Sequence, residues 1–466
     1  MADHLAQLLE TEARKRPGKP VLLADGGAVD WRRFEGRAGA VAASLAAGGI
    51  GRGSRVALCL DDPVGTVVAL FGGLKAGATV LPVNPRLAAG ERERILADFA
   101  PDRRIGAIGA GEADFPAVAT GPGDAAIVLY TSGSTGDPKG VLLSQAAVAW
   151  ALESWRGPVM DLSEDDVSLS ALPLAHSLGI FGSVLAPLLS GGSVAFLARF
   201  DPGDALAAIE RHRVTVFPGV ATMFRRILDS PALVGADLSS LRYALSGAAP
   251  CPWELASLWR ERTGVRIVRG YGMTELFRPI SYRAADPADL PDAIGRAVPG
   301  VGLRVVDDEG AALRAGGTGE LWIRSPARMT GYLDRPGETE SVFEGDWFRT
   351  GDLATLSPEG YVRIVGRKKD MILRGGYTVA PGEVEAVLMT HPDIAEAAVI
   401  GIPDDDLGED IAAFVSLKRP GAAAAEDIVA FCRGRMAGYK YPRHVRIEPA
   451  LPRGPASKVL KARLRF

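Results

Sequence analysis

The chain has 466 residues, more than one compact core accommodates, so two or three domains are expected. Hydrophobic residues make up 47% and charged residues 23%, the proportions of a soluble globular protein, and a net charge of -3 gives no reason to expect nucleic acid or an anionic membrane as a partner. The cysteines, Cys59, Cys251 and Cys432, stand far apart without CxxC spacing, which argues against a disulfide framework or a zinc site and fits a reducing cytoplasm.

The N-terminal stretch MADHLAQLLETEARKRPG lacks the apolar core of a signal peptide. No run of about 18 apolar residues follows, so a membrane-spanning helix is not expected. From there β-type runs alternate with amphipathic stretches. Strands are expected at 55–60, 79–83, 126–130, 167–172, 193–197, 214–217, 242–246 and 265–269, and helices at 64–75, 91–99, 204–212 and 221–228. Near-continuous apolar strands alternating with helices indicate a largely parallel sheet covered by helices, an α/β fold. After about Gly295 the chain changes to short strands joined by Gly/Pro turns, a β-rich subdomain over about 295–366. A helix is expected to begin at Pro381, then strands at 397–402 and 411–417 and a helix at 425–436. The reading is a large N-terminal domain over 1–368 and a small α+β C-terminal domain over 369–466.

One stretch stands out chemically. Thr131, Ser132, Gly133, Ser134, Thr135, Gly136, Asp137, Pro138, Lys139 and Gly140 follow a β-type run. Glycines let backbone N–H groups converge on an anion, hydroxyls add donors, and the lysine adds a mobile charge, a composition suited to a polyphosphate. It is not a Walker A loop, because Asp137 and Pro138 separate Gly136 from Lys139.

The order TSGSTGDPKG resembles the signature loop of the adenylate-forming superfamily of acyl-CoA synthetases, peptide-synthetase adenylation domains and beetle luciferases. The resemblance runs from about Leu5 to the end of the chain. It implies ATP and Mg²⁺ as cofactors, with coenzyme A or a carrier-protein phosphopantetheine as thiol acceptor. Gly247, Ala248 and Ala249, in the turn Ser246-Gly247-Ala248-Ala249-Pro250, are then expected to line the adenine pocket. In Gly270-Tyr271-Gly272-Met273-Thr274-Glu275, Tyr271 would pack on adenine, Thr274 would touch the α-phosphate, and Glu275 would help hold the metal. Asp352 resembles the aspartate that accepts the ribose hydroxyls, with Arg367 nearby. Lys369 falls at the family's hinge, and Lys458 matches the catalytic lysine, although Ser457 stands where the family usually has glycine. Arg374, Gly375 and Gly376 would present the thiol arm with backbone.

Adenylation domains of that family that take α-amino acids typically place an aspartate in the segment matching residues 172–182; here it reads LPLAHSLGIFG, without an acid, so the resemblance implies a substrate other than an α-amino acid. His176 occupies a position typical of acyl and aryl acid activators. Phe181, Val216, Phe217, Gly219, Val220, Phe277 and Arg278 are expected around the acyl group. Bulk at Phe277 and Arg278 would shorten the site, and an inward Arg278 could meet a second carboxylate. The reading is an AMP-forming acid–CoA ligase. Its alternatives are a ligase that loads a carrier protein and a degenerate nucleotide-binding protein.

Overall fold

Helix starts are set by acidic caps and prolines. Asp62 accepts from the backbone N–H of Val64 and Gly65 at 3.0 and 2.8 Å, and Pro63 opens the helix Pro63–Lys75. Asp201 with Pro202 does the same for Pro202–His212, and Asp30 caps Trp31–Ala47. A side-chain acceptor satisfies N–H groups that have no partner inside the helix, and proline at the first position gives up an N–H that is unpaired anyway.

The structure, a computed structural model, describes residues 5–132, 138–286, 289–453 and 459–466. The chain forms two compact units, Met1–Gly302 with Ile323–Phe348 and Leu303–Trp322 with Arg349–Phe466. In the first unit a seven-stranded sheet takes its strands in the order Arg266–Val268, Tyr243–Ser246, Val216–Gly219, Val167–Ser170, Ser193–Phe196, Pro20–Ala24 and Gly27–Asp30, parallel except for the last pair. A six-stranded sheet combines parallel strands Thr79–Pro82, Arg55–Leu58 and Arg103–Ile105 with an antiparallel edge of Ala125–Ser132, Pro138–Ser144 and Gly331–Tyr332. The helix Pro63–Lys75 is buried on nearly all sides, which is why it is apolar all round rather than on one stripe. Its last residue, Lys75, is fully buried and held by Glu10 at 3.0 Å and by Glu35.

The second unit contains the antiparallel ribbon Trp347–Leu356 (from Arg349 on) with Val362–Arg367 and a mixed sheet ordered Tyr377–Val379, Ile372–Arg374, Gly408–Leu417 and Ile394–Asp404, to which His444–Ile447 adds in parallel. Helices Pro381–Leu388 and Ala425–Arg433 pack against this sheet around Ile372, Val384, Leu388, Val399, Ile411, Ile428 and Cys432. The expected α/β architecture is therefore present. The expected strands are found within a few residues of their places, and the strand expected at 397–402 extends to Ile394–Asp404. Two π-helical stretches, Trp155–Val159 and Leu178–Leu185, were not expected. Among the described residues no helix is long and apolar enough to cross a membrane.

Candidate active site

The motif Gly270-Tyr271-Gly272-Met273 forms one strand of a hairpin whose partner is Phe277–Ser281. Gly270 pairs with Ser281, Tyr271 with Ile280 and Met273 with Phe277, so the second strand carries one extra residue and bulges. Thr274, Glu275 and Leu276 form the connecting loop, and the Leu276 N–H donates to the Met273 carbonyl at 3.3 Å. Phe277 sits at φ +58, a left-handed conformation that disfavours a bulky side chain by roughly 1–2 kcal/mol. The two strands approach so closely that a Cβ on Gly272 would lie 2.0 Å from the Phe277 carbonyl oxygen; only glycine fits. A second strained residue, Ala248 at φ +60, lies in the turn that follows Tyr243–Ser246. Gly247 in that turn is buried, Ala249 half-buried and Ala248 exposed.

Glu275 is held from two directions. Its backbone carbonyl accepts from the Met329 N–H at 2.7 Å, and its carboxylate Oε1 accepts from the Tyr332 hydroxyl at 3.0 Å. Burial, together with the negative charge of Glu275, pushes the Tyr332 phenol far above the usual tyrosine range, so it remains a donor. Tyr332 pairs with Val141 on the strand Pro138–Ser144, and Lys139 lies at the start of that strand. Lys139 Nζ stands 5.2 Å from the Tyr332 ring centroid and forms an ion pair with Glu338. Strands Ala125–Ser132 and Pro138–Ser144 pair across Thr131↔Lys139 and Ser132↔Pro138. Gly133, Ser134, Thr135 and Gly136, which connect them, lie outside the described residues.

Arg278 is 5% exposed. Its Nε donates to Ser281 Oγ at 3.1 Å, Nη1 to the Ser246 carbonyl at 2.9 Å and Nη2 to the Val268 carbonyl at 3.2 Å. One guanidinium therefore joins the end of Tyr243–Ser246, the end of Arg266–Val268 and the hairpin. Its face lies over Trp155, 5.3 Å from the ring centroid. No carboxylate among the described residues is in ion-pair contact with it, and burial pushes its pKa down to about 9, which still leaves it charged at neutral pH. Arg278 therefore points inward, away from solvent.

Trp155, Phe181 and Phe277 pack beside it, with ring centroids 5.2 and 5.5 Å apart about Phe277. A Cβ on Gly247 would meet Leu178 at 3.0 Å and Arg278 at 3.3 Å. Phe181, Phe277, Arg278 and Gly247 are thus brought together. The other expected wall residues divide. Phe217 packs in the core beneath the neighbouring helices, 5.3 Å from Phe224, with Val220 against the same cluster and Gly219 close to Phe224. Val216 precedes Phe217 on the strand, so their side chains leave opposite faces and cannot share one wall. Trp155, which packs on Phe277 and under Arg278, was not singled out from the sequence; a tryptophan at the end of an apolar helix reads as ordinary core. His176 lies half-buried in the turn leading into Leu178–Leu185, and its carbonyl accepts from the Ile180 N–H at 2.9 Å. π-helical turns concentrate at functional sites.

In the second unit, Asp352 and Arg367 are cross-strand partners, with Asp352 Oδ1 3.3 Å from Arg367 Nε. Thr350 Oγ1 donates to the Leu321 carbonyl at 2.7 Å and accepts from the Asp352 N–H at 3.1 Å, which fixes the backbone around the buried aspartate. Lys369 lies exposed in the short 3₁₀ turn Lys368–Asp370. Arg374 pairs with Tyr377 across Gly375 and Gly376, at φ +56 and +81. Two consecutive positive φ values make a tight two-residue hairpin turn that glycine supplies without strain. Lys458 lies outside the described residues.

This combination of elements has relatives. Residues 9–105 and 104–333 match the family model for AMP-binding enzymes, and residues 383–458 match the AMP-binding enzyme C-terminal domain. The chain belongs to the AMP-binding enzyme family. A feruloyl-CoA synthase of Amycolatopsis sp is 35% identical over 478 residues, covering 97% of this chain and 96% of that protein. ATP-bound MatB from Rhodopseudomonas palustris superposes with a TM-score of 0.92 at 30% identity, covering 98% of this chain and 97% of that one. The anthranilate CoA ligase AuaEII in complex with anthranoyl-AMP superposes with a TM-score of 0.91 at 28% identity, covering 98% and 95%. As an adenylate-forming enzyme, the chain is an AMP-forming acid–thiol ligase that uses ATP to activate a carboxylic acid as acyl-AMP and transfers the acyl group to coenzyme A.

Proposed function

We propose that the acid is compact, an aromatic or short-to-medium aliphatic carboxylate, and that the motif residues divide the chemistry as follows. Thr131, Ser132 and Lys139, with 133–136, hold the β- and γ-phosphates. Gly247, Ala248 and Ala249 line the adenine, on which Tyr271 packs, flanked by Gly270, Gly272 and Met273. Thr274 contacts the α-phosphate, Asp352 takes the ribose hydroxyls, and Arg367 supports it. Lys458 bridges the substrate carboxylate and the α-phosphate, lowering the repulsion between two anions as the carboxylate oxygen attacks phosphorus and pyrophosphate leaves. Lys369 is the pivot that replaces this arrangement with one in which the turn at Arg374-Gly375-Gly376 offers backbone to the pantetheine arm.

The residues present fit Mg²⁺. Glu275 offers one carboxylate already oriented by Tyr332, and magnesium takes one or two carboxylates plus phosphate oxygens rather than a protein cage. When bound, the ion supplies charge neutralisation on the pyrophosphate as it departs.

The observation that carries the substrate class is the packed group Trp155, Phe181 and Phe277, closed by the buried Arg278. Its side chains are packed into space beside Gly247 that a long acyl chain would need, which favours a compact acid. The test is acid-dependent pyrophosphate release across aromatic, short aliphatic, long-chain and dicarboxylic acids. Aromatic and short acids are expected to give the highest kcat/KM. A long-chain acid at the top would overturn the substrate class, and a dicarboxylate at the top would instead identify Arg278 as the receptor for a second carboxylate. Offering coenzyme A and holo-carrier protein in parallel is expected to give thioester on coenzyme A; product on the carrier protein alone would reverse the acceptor.

A further inference from the structure

Between the two ATP-binding motifs runs a segment that neither motif includes. Residues 329–338 touch both. The Met329 N–H donates to the Glu275 carbonyl, Thr330 N–H to the Leu142 carbonyl at 2.9 Å, and Leu333 N–H to the Gly140 carbonyl at 2.8 Å. The strap is thus zipped to the strand Pro138–Ser144, which carries Lys139, and tied to the loop that carries Glu275. Its side chains continue the connection: the Tyr332 hydroxyl to Glu275, the Tyr332 ring to Lys139, and Glu338 to Lys139. Glu338 is steadied by Arg335 at 3.3 Å, and Arg335 by Asp98 at 3.1 Å; Asp98 accepts from the Tyr130 hydroxyl at 2.6 Å, just before the phosphate loop.

We propose that Tyr332 and Glu338 are positioning residues for the ATP site: Tyr332 orients the Glu275 carboxylate toward the metal, and Glu338 is an internal anion that holds Lys139 until polyphosphate displaces it. This rests on the roles given above to Glu275 and Lys139. Glu338 carries a carboxylate where the lysine would otherwise meet phosphate oxygens, so nucleotide binding must exchange one anion for another. The glutamate side chain is 40% exposed and the lysine 17%, which makes the pair a weak contributor to folding. Its effect therefore belongs to nucleotide affinity. Tyr332 acts differently. Its hydroxyl fixes one carboxylate oxygen and leaves the other to the metal, while its ring supports Lys139 independently of the hydroxyl.

The experiment uses the full chain and three variants, Glu338→Gln, Tyr332→Phe and Tyr332→Leu, with ATP binding followed by calorimetry at zero and increasing Mg²⁺. Glu338→Gln is expected to bind ATP about two- to five-fold more tightly in magnesium-free buffer, the worth of an exposed ion pair, with its melting temperature unchanged. Tyr332→Phe keeps the ring and is expected to leave magnesium-free ATP affinity unchanged, while the Mg²⁺ concentration that half-saturates the gain in affinity rises about ten-fold, the worth of a hydrogen bond to a charged group. Tyr332→Leu is expected to lose both. Unchanged or weaker ATP binding by Glu338→Gln, or an unshifted Mg²⁺ dependence in Tyr332→Phe with the parent binding ATP normally, would overturn the proposal alone. Failure of the parent chain to bind ATP would overturn the underlying role assignments as well.

Discussion

Two buried arginines, one in each compact unit, are solvated in opposite ways. Arg374, 3% exposed, meets the buried carboxylate of Asp410 and donates to the Gly438 carbonyl at 3.3 Å. Its charge is neutralised where it sits, and the result is a fixed base for the Gly375–Gly376 turn. Arg278, 5% exposed, meets two carbonyls, a hydroxyl and the face of an indole, and no carboxylate among the described residues. Dipoles satisfy its N–H groups without cancelling its charge. The first arrangement builds a scaffold. The second ties together the ends of Tyr243–Ser246 and Arg266–Val268 and the hairpin, and leaves positive potential among them. With the guanidinium committed to Asp410 and the Gly375 N–H donating to the Leu407 carbonyl at 2.8 Å, the turn is held from both side chain and backbone.

The contrast can be broken by substitution. Arg374→Met strands a buried carboxylate and is expected to lower stability by about 3–5 kcal/mol, whereas Arg374→Met with Asp410→Leu recovers most of the loss, because removing both partners leaves no unpaired buried charge. Denaturant unfolding of the single and double variants measures this. Arg278→Met is expected to act mainly on chemistry, lowering kcat/KM for acid-dependent pyrophosphate release by about 100-fold, since it removes several charge-assisted hydrogen bonds at once. If Arg278→Met proves no worse than Arg374→Met in the activity of its folded fraction, the distinction between strut and scaffold fails.

Two smaller effects sharpen it. Burial pushes the Cys432 thiol, in the core of the second unit, up to about 11. The folded chain therefore holds this proton where the unfolded chain releases it, so the contribution to stability is complete below pH 9 and is lost as pH rises from there through 11. Cys432→Ala is expected to flatten that part of the stability profile. In the first unit, Ala248→Gly relieves a positive φ on an exposed residue at the expense of added freedom in the unfolded chain, a net gain of about 0.5 kcal/mol readable by denaturant unfolding. A loss would show that Ala248 makes contacts worth more than the strain.

The sheets were legible because their strands are apolar runs separated by turn residues, and the motif carrying Glu275 because its glycines and acid form a specific local order, although the hairpin it builds with Phe277–Ser281 was not expected. What escaped was set by distance along the chain or by face. Tyr332 meets Glu275 across 57 residues, and Glu338 reaches Lys139 from a separate helix, Pro336–Ser341; neither has a local signal. Phe217 was expected beside Val216, although adjacent strand residues point apart. Trp155 and the π-helical Leu178–Leu185 are apolar runs whose hydrogen-bond register is decided by packing, not by composition. Lys75, inside an apolar helix, finds its two glutamates only after folding brings the helix Leu5–Lys15, which holds Glu10, and the helix Trp31–Ala47, which holds Glu35, against it.

The acyl-adenylate itself is open to a direct isotopic test. A substrate acid labelled with ¹⁸O in its carboxylate, incubated with the chain, ATP, Mg²⁺ and coenzyme A, must pass one labelled oxygen to the phosphorus it attacks. AMP carrying a single ¹⁸O, absent when Lys458→Ala replaces the parent, is the predicted result. Label in ADP or inorganic phosphate, or unlabelled AMP formed alongside thioester, would contradict attack of the carboxylate on the α-phosphate.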